Sequence, residues 1–203
     1  VSGTRDDLHD DLTRMRFAVI DTETTGLSTT DDVVLQIGAV IVRADGTVER
    51  EFVTYLRRLR WGWGHVGAYH VHGITRRKLR AGTDPAAALA QLGELLDGAL
   101  FTAHNAKFDL GFLRADAARL GIDLRLAPAL CTLQMSRAVD PQRSRSHRLH
   151  DVARHYGIVE PKLHDALADA RLAARCLPHL LRDLSITSAD RLQRYCVVAT
   201  ADA

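Results

Sequence analysis

Three short segments carry residue types that can do hydrolytic chemistry together. The first, Asp21-Thr22-Glu23-Thr24-Thr25-Gly26, follows the apolar run Phe17-Ala18-Val19-Ile20, which has the pattern of a strand buried on both faces. Side chains two apart on a strand share a face, so Asp21 and Glu23 converge where that strand ends. Two carboxylates aimed at one point repel unless a cation lies between them or one takes a proton. Their hard oxygens suit Mg²⁺ or Mn²⁺. The second segment is His104-Asn105-Ala106-Lys107-Phe108-Asp109. Asn105 can cap a helix on which Phe108 and Phe112 lie one turn apart, with Asp109 in the first turn. The third is His164-Asp165-Ala166-Leu167-Ala168-Asp169. Asp165 suits an N-cap, leaving His164 in the preceding loop and Asp169 one turn inside the helix. Each segment alone has a plain reading: a solvated acidic turn, compensation of a helix dipole, a polar loop histidine.

The elements that must position these residues read as an α/β domain. Val33 to Val42 and Thr47 to Leu56 are strand candidates, joined by a hairpin turn at Ala44-Asp45-Gly46, because Asp-Gly tolerates the positive φ such turns need. Helices then alternate with short strands. Asp84-Pro85 opens one helix, with Pro85 at its first position. A strand over Ala99 to Ala103 leads to a helix from Ala106 to Leu120 that Gly121 stops. Leu130 to Thr132 reads as an edge strand. Two more helices are expected near His147–Tyr156 and Ala166–Leu181, the second kinked or shortened by Pro178. A meander leading into βα units implies one mixed sheet with helices packed on it.

The chain has 203 residues, 46% hydrophobic content and a formal net charge of +2, enough for one sizeable core. Its cationic residues are clustered: Arg57, Arg58 and Arg60; Arg76, Arg77, Lys78 and Arg80; Arg143, Arg145 and Arg148. Such clusters form either a solvated basic surface or a nucleic-acid footprint. Cys131, Cys176 and Cys196 suggest neither a disulfide framework nor a CxxC metal pair. With no apolar leader and no run of ~18 apolar residues, a cytoplasmic location without membrane contact is expected.

Taken in order, DTETTG, HNAKFD and HDALAD resemble the three exonuclease motifs of the DEDD exonuclease superfamily. The histidine places the chain with the DEDDh subgroup, epsilon-like proofreading exonucleases among them, and Val71-His72-Gly73-Ile74-Thr75 matches a segment common in those members. The match runs from Arg16 to Leu181. It implies a ribonuclease H-like fold, a five-stranded mixed sheet flanked by helices. It further implies 3′→5′ removal of nucleoside 5′-monophosphates from single-stranded DNA or RNA. Asp21, Glu23, Asp109 and Asp169 would hold two divalent cations, Mg²⁺ or Mn²⁺, with Asp21 shared and His164 as general base. Thr24, Gly26, Leu27, His72, Gly73, Ile74, Asn105 and Phe108 would handle the strand end. Leu27 is either a wedge against the terminal base or ordinary packing.

The domain reading is a lead-in over 1–14, the exonuclease domain over 15–184 and a tail over 185–203 that carries no signal. A DNA polymerase or other repair protein is the partner the resemblance allows. The chain departs from epsilon-like members at Trp61-Gly62-Trp63-Gly64-His65, where prolines are usual; the tryptophans either stack on bases or pack on the domain itself. Two other classes compete. Asp-x-Glu-x-Thr is reminiscent of the DxDxT motif of haloacid-dehalogenase phosphatases, although their later motifs cannot be placed. A degenerate member that only binds nucleic acid is the other, and the intact set of five active-site residues argues against it.

Overall fold

A computed structural model describes residues 12–57, 67–124, 126–159 and 164–198. The apolar run folds as β1 (Arg16–Thr24), followed by β2 (Val34–Arg43) and β3 (Val48–Tyr55). Gly46 sits at φ +91° in the turn between β2 and β3, a left-handed backbone that glycine adopts without penalty. Short helices α1 (Tyr69–His72) and α2 (Arg76–Arg80) precede α3 (Pro85–Leu96). Asp84 caps α3 by accepting from Ala86 N and Ala87 N. Then come β4 (Ala99–Ala103), α4 (Ala106–Arg119), β5 (Ala129–Cys131) and α5 (Thr132–Val139). The chain continues through α6 (Leu149–His155), α7 (Ala166–Asp183), α8 (Ala189–Leu192) and β6 (Cys196–Val197).

The sheet order is β3-β2-β1-β4-β5-β6. β1 pairs antiparallel with β2 and parallel with β4, so the meander joins a βα unit at the central strand. Even-numbered residues of β1, Ala18 and Ile20, face a core shared with Leu89, Leu92, Leu110 and Phe112 of α3 and α4. Odd-numbered Phe17 and Val19 face the opposite core, built with Leu172, Ala173 and Leu177 of α7. This is the expected α/β, ribonuclease H-like architecture, with helices on both sides of a mixed sheet.

The sheet has six strands, not five, and β5 is not an edge. Leu192, Tyr195 and Val197 are buried, and they draw Cys196 and Val197 alongside β5 in an antiparallel pair. A two-residue strand has no periodicity to read, which is why the stretch after Ser185 carried no sequence signal. Pro178 does not shorten α7, which continues through it to Asp183. Buried residues on both sides of it, Ala173, Ala174 and Leu177 before and Leu180 and Leu181 after, hold the helix through the lost hydrogen bond. Helix α6 begins at Leu149 rather than His147, because His147 is tied to Ser136 Oγ at 2.9 Å. Trp61, Trp63, Arg58 and Arg60 lie outside the described residues. Among the described residues no helix is long and apolar enough to cross a membrane.

Candidate active site

The acids meet at one end of the sheet. Asp21 and Glu23 lie on the α7 side of β1, and Asp21 pairs in register with Gly38 of β2. A Cβ on Gly38 would stand 2.2 Å from the carbonyl carbon of Ala166. The absent side chain is therefore what lets the start of α7 lie on β2, bringing Asp169 beside Asp21 and Glu23. Gln36, only 1% exposed, secures that contact: its amide faces Asp165 Oδ2 and the Ala166 N–H, each at 3.5 Å. Asp165 caps α7 by accepting from Ala168 N at 3.3 Å. On the other face of β1, Thr22 donates from Oγ1 to Asp109 Oδ1 at 2.8 Å, holding the α4 acid at the same sheet end.

Burial pushes all four carboxyls upward, and repulsion from neighbouring acids adds to it at Asp21, Glu23 and Asp169. Asp21 rises well above the usual carboxylate range, first by desolvation, then by Asp109, Asp169 and Glu23. Glu23 is pushed up to about 7 by burial and by Asp169, Asp165 and Asp109. Burial raises Asp109 to about 7 despite the Thr22 hydrogen bond. It raises Asp169 too, against the opposing pull of His150 and His164. Among the described residues, no lysine or arginine side chain counts among the main influences on these four carboxyls. Asp169 Oδ1 is buried and makes no hydrogen bond; His150 Nε2, at 3.4 Å, is near enough for an ion pair but not aligned as a donor. Ligand atoms of Glu23, His164 and Asp169 all lie within 4.8 Å of one another. Close, desolvated carboxylates with an orphaned oxygen and no cationic side chain among them fit hard divalent cations.

His164 is exposed and sits at φ +55°, a left-handed backbone costing a non-glycine residue about 1–3 kcal/mol. That turn points its ring toward the acids, 6.2 Å from the His150 ring. His150, Thr22, Gln36 and Gly38 had no role in the sequence reading. Gln36 and Gly38 did leave a signal, as one polar residue and one glycine inside an otherwise apolar strand. His150 left none, being one of several polar residues on a short helix.

The remaining candidates divide by position. Leu27 is 86% exposed at the tip of the loop after β1, and Thr24 Oγ1 donates to Gly26 O at 2.6 Å in that turn. The space beside Gly26 is filled by the Asp32 carboxylate, 2.4 Å from where a Cβ would be. Arg119 donates to the backbone oxygens of Thr29, Thr30 and Asp32 and thereby braces the loop. Ala68 N donates to Thr25 O at 3.2 Å, setting the α1 segment beside it. There Gly73 ends α1 in the left-handed region and is exposed, whereas Ile74 is 1% exposed and packs on Leu35 and Leu79. His72 is half-buried and accepts from Ile74 N at 2.9 Å. Asn105 occupies the cap position of α4 through a left-handed backbone, with no side-chain capping bond. Phe108 is half-buried with its ring 4.8 Å from that of Phe112.

Comparison with known proteins gives the family. Residues 18–177 match the RNase T family model, described as an exonuclease. A PolC-type DNA polymerase III of Latilactobacillus sakei is 32% identical over 161 residues, 78% of this chain and 11% of its own length. The 3′-5′ exonuclease DinG of Bacillus subtilis is 29% identical over 176 residues, 85% of this chain and 18% of its own. The chain thus spans less than a fifth of either relative. Among solved structures, E. coli exonuclease I with a dT13 oligonucleotide superposes at a TM-score of 0.71 and 23% identity, over 90% of this chain and 43% of that one. Exonuclease X with 5′ overhanging duplex DNA does so at 0.68 and 21%, over 89% and 98%. These structural likenesses establish the shared fold, and with the sequence match they identify this chain as a member of the RNase T exonuclease family, within the DEDD superfamily.

Proposed function

We propose that the chain is a metal-dependent 3′→5′ exonuclease acting on single-stranded ends of DNA or RNA, and that it releases nucleoside 5′-monophosphates. The observation that carries this reading is the convergence of four desolvated carboxyls and His164 at one sheet end, with no lysine or arginine of the described residues offsetting them. Asp21, Glu23, Asp109 and Asp169 would hold two divalent cations, Mg²⁺ or Mn²⁺, with Asp21 facing the other three. When bound, the two ions supply Lewis acidity for an in-line displacement at phosphorus, lowering the pKa of the attacking water and neutralising charge on the leaving 3′-oxygen.

The chain's own residues do the rest. The imidazole nitrogen of His164, near the Glu23 and Asp169 oxygens, takes the proton from the attacking water. Thr22 holds the Asp109 carboxyl in place. Leu27, presented on a braced loop, separates the terminal base from its neighbour, and Thr24, Gly26, His72, Gly73, Ile74, Asn105 and Phe108 form the surroundings of the strand end. The matched segment is a small part of a PolC-type polymerase, which supports a polymerase or repair protein as partner.

The test is a 5′-labelled single strand incubated with the protein. A ladder shortening stepwise from the 3′ end, abolished by chelator and restored by Mg²⁺ or Mn²⁺, is expected. Immediate release of a labelled 5′ mononucleotide, or undiminished hydrolysis in chelator, refutes the reading. Matched DNA and RNA strands run side by side give the sugar preference.

A further inference from the structure

We propose that the basic groove between α4, α5 and the α5–α6 connection is a binding track for phosphates of the strand 5′ to the scissile bond. This rests on the exonuclease reading above and names how far along the substrate the protein reaches. The groove is a cavity of about 440 Å³ whose walls include Asn105, Leu133, Arg137, Arg143, Arg148 and Leu149. Two of its lining residues adjoin segments that carry the candidate site. Asn105 lies in the turn before α4, the helix that carries Asp109, and Leu149 precedes His150, whose Nε2 is 3.4 Å from Asp169.

Its charge is available and its shape is set. Arg137, Arg143 and Arg148 are exposed, and none of their guanidinium groups forms an ion pair with a described residue. Asp140, the carboxylate nearest along the chain to Arg137 and Arg143, is already taken up by its own loop, accepting from Ser144 Oγ at 3.0 Å and Arg145 N at 3.1 Å, and Asp151, nearest to Arg148, accepts from Arg154 at 2.8 Å. The loop is tethered at its other end too: His147 Nδ1 meets Ser136 Oγ at 2.9 Å, and the His147 carbonyl accepts from His104 Nε2 at 2.9 Å. His104 completes the tether through Thr132 Oγ1 at 3.0 Å and is held neutral by burial, with its pKa pushed down to about 4. Three exposed guanidinium groups, one on α5 and two on the braced α5–α6 connection, fit successive phosphodiesters, and Leu133 and Leu149 offer apolar surface to the bases between them.

The experiment compares wild type with the triple variant Arg137→Gln, Arg143→Gln, Arg148→Gln on two substrates, a thymidine dinucleotide and an oligothymidylate of about twenty nucleotides. On the long strand the variant's KM should rise at least ~10-fold near physiological salt. The slope of log binding constant against log salt should fall by about 2, since each single-strand phosphate contact contributes ~0.7. The dinucleotide, too short to enter the groove, should be cut at the wild-type rate. The charge-preserving variant Arg137→Lys, Arg143→Lys, Arg148→Lys should recover most of the affinity. An unchanged KM and salt slope on the long strand overturns the proposal, as does an equal loss on both substrates. Anisotropy of the labelled strand in chelator reads the groove without turnover. A wild type that binds the strand there but cuts nothing would refute the exonuclease reading and leave the groove standing.

Discussion

Replacing Glu23 by glutamine should make the metal-free protein more stable while abolishing its activity. Burial and three neighbouring carboxyls lift the Glu23 pKa from its ordinary 4.5 to about 7. A carboxyl with a raised folded pKa binds its proton more tightly in the folded state, so stability falls as pH rises from about 4.5 to about 7, and the full cost is present above 7. At ~1.4 kcal/mol per tenfold change in proton affinity, that cost is at most roughly 3 kcal/mol. Glutamine keeps the shape and removes the charge. In chelator at pH 8, Glu23→Gln should therefore raise Tm by up to about 6 to 12 °C, taking about 2 to 4 °C per kcal/mol for a chain of this size. At pH 5 wild-type Glu23 is already protonated in the fold, and the gain should shrink to about 1 kcal/mol or less. Saturating Mn²⁺ should narrow the difference, because cation binding stabilises wild type by about 2.7 kcal/mol at a hundredfold excess over Kd and the variant by less. Thermal melts at the two pH values, with and without Mn²⁺, supply the measurement. A variant no more stable than wild type at pH 8 in chelator, or equally stabilised at both pH values, refutes the account of an electrostatically strained site.

His164→Ala should lower kcat by ~10²–10⁴-fold with strand affinity and metal affinity nearly unchanged, as single-turnover kinetics and titration calorimetry would show; near-wild-type turnover removes it as the base. Asp116, 2% exposed, accepts from Val34 N at 3.2 Å and from Arg119 at 2.8 Å, so Asp116→Ala removes a buried acceptor of the Val34 N–H and one anchor of Arg119 and should cost about 2 kcal/mol in chemical denaturation. Because Arg119 also braces the Leu27 loop, KM for a single strand should rise as well, and a stability loss with unchanged KM would limit Asp116 to a structural role.

How much of this was visible in the sequence depends on the distance over which each feature is encoded. Local features were legible: the buried run of β1, the Asp-Gly hairpin, the Asp84-Pro85 start of α3, and the Asp165 cap of α7. Each is set by a few adjacent residues and backbone preferences. Features set by remote contact were not. β6 exists because Leu192, Tyr195 and Val197 find the exposed side of β5, and Pro178 stays inside α7 because tertiary packing outweighs a local helix breaker.

The candidate site divides along the same line. The identities and spacing of Asp21, Glu23, Asp109, His164 and Asp169 announce hydrolytic chemistry, but nothing in the three motifs says how segments more than eighty residues apart meet. That assembly is carried by residues outside the acid set. Gly38 yields the space for α7, Gln36 ties the start of α7 to β2, and Thr22 reaches from β1 to Asp109 on α4. Their side chains do the positioning while the acids, repelling one another, would separate if left to themselves. The stability of the scaffold is thus set against the electrostatics of the site, and the divalent cations proposed above would bring the two into agreement.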